Sequence, residues 1–232
     1  MATPQETVSE PARRDDLEGE GAIRGTARME AFADGVFAIA FTLPIVHIVI
    51  PEVKGNGADL GYELIALWPA YMGYVLASLI IGLYWIQHHF SGAIYRTTGH
   101  WFLVATVLFL TLIGFISYPA RVFAEHLVDP AAWPVSAQYL VLSLTATSLG
   151  WLLKWSVGCR RGQVDARLDP GYTRRLDRRY RLLAIGNLIA ALLVFWRWEI
   201  GLGLSGLLVL SLALPPETPR YITESPIVEG ES

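Results

Sequence analysis

One cysteine, Cys159, is all the chain contains, so neither an intrachain disulfide nor a thiolate metal cage can form. Charge is also scarce: 17% of residues are charged against 53% hydrophobic, a balance that excludes an ordinary soluble domain. The places where charge is missing decide the class. Apolar runs of about 20 residues recur, the length that carries a helix across roughly 30 Å of hydrocarbon. A soluble domain would interrupt such runs with charges on its exposed face. The chain therefore reads as an all-α, polytopic membrane protein. No internal repeat appears, so any symmetric pore has to be assembled from several copies. The first 22 residues lack the basic, apolar, small-residue order of a cleaved signal peptide.

Six membrane spans are expected, at 32–50, 64–90, 101–123, 135–155, 182–195 and 200–214. Pro51 closes the first, and a short polar turn at 52–61 follows it. Pro69 falls near the start of the second, where a missing N–H does least harm. The last two are short and joined tightly at Trp196-Arg197-Trp198-Glu199, whose tryptophans suit a membrane–water interface. The domain organisation expected is a disordered acidic tail at 1–23, a membrane domain at 24–215 and a disordered tail at 216–232.

Orientation follows from the arginines. The stretch 157–181 carries Arg160, Arg161, Arg167, Arg174, Arg175, Arg178, Arg179 and Arg181, and positive loops stay cytoplasmic. Six spans then place both termini in the cytoplasm, in agreement with Arg13, Arg14, Arg24 and Arg28. The basic stretch is a topology signal before it is a lipid or partner site.

Ionisable groups inside a span are costly and mark functional candidates. Asp34 lies near the cytoplasmic end of the first span, and His88 and His89 near the cytoplasmic end of the second. Their matching depths predict that Asp34 meets one of the histidines, or an arginine, as a clamp between helices. On a helical wheel, Gly35, Ile39, Thr42 and Val46 fall within about 60° of one another. Such a stripe is most often a packing seam. Thr42, a hydroxyl between two aliphatic residues, favours the alternative, a pore face in which Ile39 and Val46 form dewettable constrictions. Pro44 lies roughly 160° around from that stripe and should bend the helix. His47 is off the stripe, near the outer end.

The run Arg28…Phe32-Ala33-Asp34-Gly35-Val36-Phe37-Ala38-Ile39-Ala40-Phe41-Thr42-Leu43 resembles the first-helix signature of bacterial homologues of the endolysosomal potassium channel, the transmembrane protein 175 family. Gly82-Leu83-Tyr84-Trp85-Ile86-Gln87-His88-His89-Phe90 resembles the tryptophan and paired histidines that close that family's second helix. The resemblance implies a six-helix unit that assembles as a homotetramer. It also implies a potassium-permeable pore lined by the first helices, without a glycine-rich carbonyl filter. Matched by position, it places the inner constriction on Ile39, the hydroxyl ring on Thr42 and the outer constriction on Val46. A structural network falls on Arg28, Phe32, Asp34, Trp85, His88 and His89. The chain departs from the pattern at Ala33 (serine in the family), Pro44 (aliphatic), His47 (usually an acid) and Val46 (commonly leucine).

The function expected is a homotetrameric cation channel in the cell membrane, not an enzyme. It has no cofactor, potassium as its permeant ion, no metal site and no nucleic-acid partner; the lipid bilayer and further copies of itself are its partners. Proton permeation and secondary transport are the alternatives. A transporter would want an inverted repeat and broken helices in both halves. A haem protein would want histidines at matching mid-membrane depths, which His47, His88, His89, His100 and His126 do not supply.

Overall fold

The computed structural model describes residues 25–51 and 57–222. The elements in chain order are α1 (Ala27–Thr42), α2 (Gly57–Ala66), α3 (Trp68–Gly92), α4 (His100–Phe115), α5 (Ser117–Glu125), α6 (Trp133–Arg160), α7 (Pro170–Trp196) and α8 (Trp198–Leu210). Among the described residues there are no strands, only two isolated bridges between loops. Five helical stretches are long and apolar enough to cross a membrane: Ala27–His47, Trp68–Gly92, His100–Val128, Trp133–Arg160 and Pro170–Trp196. The expected sixth span is a shorter apolar helix, Trp198–Ala213.

Several boundaries differ from the sequence expectation, each for a backbone reason. The first span stops at His47, because the chain tightens into a 3-10 turn at Leu43–His47 around Pro44. A continuous α-helix would need the Pro44 N–H for the Ala40 carbonyl. Instead the Ser117 hydroxyl donates to Ala40 O at 3.4 Å, and the Ser78 hydroxyl to Phe41 O at 3.1 Å. Pro44 thus ends the α-helix rather than bending it, and serines from α5 and α3 satisfy the carbonyls left over. The second span begins at Trp68, with Pro69 in its first turn, and the preceding residues form the separate α2. The third is broken at Ile116, three residues before Pro119, which has no N–H for the Phe115 carbonyl.

The largest revision concerns the basic stretch. Residues 170–181 are not loop but the first three turns of α7. Asp169 caps that helix, its carboxylate accepting from the Gly171 and Tyr172 N–H groups, and Pro170 fills the first position. The loop proper is only 161–169.

The helix α6 is the most buried of the five long spans and α1 the least. α6 packs against α4, α5, α7 and α8, while α1 rests on α3 and α4. Polar groups pin the α6–α7–α8 contact. The fully buried Asn187 accepts from Ser205 Oγ at 2.8 Å, and its backbone carbonyl accepts from Thr145 Oγ1 at 3.0 Å. Side-chain bonds of this kind hold helices together where no hydrophobic driving force separates protein from lipid.

The α7–α8 hairpin turns on Arg197 alone, and a Cβ on Gly201 would lie 2.5 Å from the Val194 backbone nitrogen. Backbone cannot yield as a flexible side chain can. Gly201→Ala is therefore expected to cost about 1–3 kcal/mol, the usual cost of overpacking, read as a lower melting temperature in detergent.

The expected N-terminal tail and the C-terminal residues beyond 222 lie outside the described residues. The stretch 216–222, expected to be disordered, is instead tied to the arginine-rich end of the bundle. Asp169 N–H donates to Arg220 O and Ile222 N–H to Arg167 O, both at 2.8 Å. Glu217 takes two hydrogen bonds from the Arg175 guanidinium, and the Tyr221 hydroxyl donates to Ala93 O.

Candidate functional site

The two faces of α1 have opposite fates. Met29, Ala33, Phe37 and Ala40 recur every three or four residues and are buried against the chain's own helices. The other side is bare: Phe32 is 58% exposed, Ile39 62% and Val46 69%, with Gly35 and Thr42 exposed between them. The wheel's stripe of Ile39, Thr42 and Val46 is thus the side of α1 that no other part of the described chain covers. Thr42 Oγ1 donates to its own helix, to Ala38 O at 2.8 Å. Its proton is therefore committed, and the hydroxyl faces outward as an acceptor. Past Thr42 the 3-10 turn eclipses positions three apart, which brings Leu43, 52% exposed, into line with Val46. Beside this face, α1 and α3 form an open groove of about 580 Å³ lined by Phe37, Phe41, Thr42, Ile81 and Trp85, with Asp34 at its edge.

The cytoplasmic-side residues separate into two groups. Asp34 meets neither histidine; its Oδ1 accepts from the Trp85 indole N–H at 3.0 Å. His89, four residues after Trp85 and on nearly the same face of α3, packs on that indole at a ring separation of 5.6 Å and stays exposed. Arg28 and Phe32 are exposed on α1. His88 turns the other way, into the bundle, where it is 4% exposed. Its ring lies 5.3 Å from Phe37 of α1 and 6.3 Å from Trp151 of α6.

The partner of His88 is a residue the span-by-span reading passed over. Lys154 on α6 is 2% exposed, and its Nζ lies 3.1 Å from His88 Nδ1. Where Nζ donates to this contact, Nδ1 accepts and the ring proton lies on Nε2, an atom with no hydrogen-bond partner among the described residues. Tyr95 and Trp151 place their rings 5.2 and 5.3 Å from Nζ, within cation–π reach. Glu30 of α1 makes no ion pair with Lys154, and its Oε1 is buried without a partner among the described residues. A cluster of ionisable groups drawn from α1, α3 and α6 thus sits behind the bare face. The signal was in the sequence: a lone lysine between Leu153 and Trp155 inside an apolar run.

Outside the spans, Asp165 accepts from the Arg167 guanidinium at 2.7 Å, and that bond holds its carboxyl down at about 2. The pairing contributes stability that is complete above the ordinary carboxylate pKa near 4 and is lost as pH falls toward 2. Melting temperature should therefore fall with acid through that window, and Asp165→Asn should flatten this part of the pH profile.

Helices of membrane length, an uncovered helix face and buried charges define a polytopic helical membrane protein. Comparison with known proteins narrows the class. The sequence model of the endosomal/lysosomal potassium channel TMEM175 matches residues 28–116. A potassium channel of Streptomyces collinus is 33% identical over 186 residues, covering 80% of this chain and 90% of that one. A potassium channel of Chamaesiphon minutus is 36% identical over 115 residues, 49% of this chain and 57% of that one. The crystal structure of a lysosomal potassium-selective channel TMEM175 homolog from Chamaesiphon minutus superposes with a TM-score of 0.65 at 28% identity, covering 82% of this chain and 96% of that one. The chain belongs to the TMEM175 family of potassium channels, which are ion channels and not enzymes.

Proposed function

We propose that this chain is one subunit of a homotetrameric, potassium-permeable channel whose pore is lined by the bare face of α1. One observation carries the reading: α1 buries Met29, Ala33, Phe37 and Ala40 within its own subunit and leaves Ile39, Thr42 and Val46 uncovered. Lipid would accept the two aliphatic residues, but a hydroxyl acceptor between them suits a partly dehydrated cation better. Ile39 and Val46 act as dewetting constrictions, Val46 with Leu43 beside it, and the Thr42 ring replaces part of the ion's water shell. The groove between α1 and α3 is the seat for the neighbouring subunit. Selectivity is modest, because one hydroxyl ring replaces less hydration than stacked carbonyl rings do. Asp34 with Trp85 fixes α1 to α3, and both termini lie in the cytoplasm.

Potassium flux into proteoliposomes tests the reading, with proton flux followed in the same vesicles. Flux above that of empty vesicles, from a species whose mass is that of four chains, is the expected result. A monomer, or no potassium flux across several voltages and pH values, would overturn it.

A further inference from the structure

A second cavity shares no lining residue with the groove beside the bare face of α1. It is enclosed by α3, α6, α7 and α8 and has a volume of about 310 Å³. That is within the range of small-molecule sites. One end is basic: Arg175, Arg178 and Arg179 project from the first turns of α7. Arg175 is held by Glu217, but Arg178 and Arg179 make no ion pair among the described residues. The walls are mainly apolar, formed by Trp151, Leu183, Leu208 and Leu212, with Gln87 and Ser211 among them. The Tyr84 side chain also lines the cavity, although its hydroxyl is sealed from it and has no hydrogen-bond partner among the described residues.

We propose that this cavity binds an anionic phospholipid of the adjoining leaflet. Its phosphate rests between Arg178 and Arg179. The cavity is too small for whole acyl chains, which leave it along Leu182 and Leu207, exposed by 60% and 68% on the outer faces of α7 and α8. The position is physically apt: within one turn of α7, from Arg179 to Leu183, the helix passes from guanidinium to aliphatic side chains. That is the change a headgroup meets where phosphate gives way to hydrocarbon. A free phosphate ion would satisfy the arginines and leave the apolar walls empty; a lipid satisfies both.

The test is lipid retention by the purified chain in neutral detergent, followed by native mass spectrometry. The probes are short-chain phosphatidylglycerol, phosphatidylcholine of equal chain length, and inorganic phosphate. Phosphatidylglycerol should be retained in preference to phosphatidylcholine, and inorganic phosphate should not displace it. Arg178→Ala with Arg179→Ala should weaken retention roughly twenty-five-fold, about five-fold for each arginine at a membrane surface. Leu208→Trp, which fills the cavity and leaves the arginines in place, should also abolish retention, whereas loose attraction to a basic surface would survive it. The double arginine variant should keep the melting temperature of the lipid-free protein, which guards against misfolding as the cause. Equal retention of the two lipids, displacement by phosphate alone, or retention unchanged in Leu208→Trp would each overturn the proposal.

Discussion

Lys154→Ala is expected to destabilise the folded protein by about 2–5 kcal/mol, the cost of truncating a large, fully buried side chain. The argument rests on what is left behind. With the amine gone, His88 Nδ1 loses the Nζ 3.1 Å away, and Glu30, whose Oε1 already lacks a partner, loses a basic group of its electrostatic surroundings. Three aromatic rings within about 6 Å of Nζ are left facing a void. Lys154→Met combined with Glu30→Gln should recover most of the loss, because matched removal of buried charges is often neutral or stabilising. Unfolding in detergent of the single and double variants gives the coupling directly. If Lys154→Ala melted like the unchanged protein, the cluster would have no structural weight. Because Glu30 lies on α1 and Lys154 on α6, losing Lys154 should also loosen the helix proposed to line the pore.

Ile39→Asn is expected to raise potassium flux by at least ~tenfold, equivalent to about 1.4 kcal/mol removed from the barrier. A ring of isoleucines at a narrow point favours expulsion of water, and an ion cannot cross a dry segment without losing its shell. Asparagine wets the same position with a smaller, polar side chain. Leu192→Asn is the control: Leu192 is 75% exposed on α7, away from α1, so it meets lipid in the proposed assembly. A comparable flux increase in both variants would mean general leakiness rather than a gate, and unchanged flux in Ile39→Asn would remove Ile39 from the pore. Thr42→Val, which removes the acceptor while keeping the shape, should lower potassium flux instead.

Much of the membrane layout is legible without coordinates, because a span of this length must be nearly free of charge. Within the spans, the buried and bare faces of α1 follow the 3.6-residue period, which is why the wheel isolates Ile39 and Thr42, while Val46 lies beyond the α-helix on the 3-10 turn and is exposed there. Boundaries were harder where proline and capping compete with hydropathy. Asp169-Pro170 is a helix start that a charge count over 157–181 hides, and Pro44 ends α1 only because Ser78 and Ser117 are there to take the freed carbonyls. Asp34 and His88 have matching depths but face different sides of α3 and its neighbours, so depth alone paired them wrongly.

The sequence by itself determined the class of molecule, the family signature and the polar-punctuated stripe on α1, since these depend on local composition and helical period. Only the tertiary structure decided which charges meet. Lys154 finds His88 across 66 positions of chain, and Trp85 finds Asp34 across 51. Such pairings depend on how helices rotate and dock, which is fixed by packing at many distant positions together and is written in no single stretch of the chain.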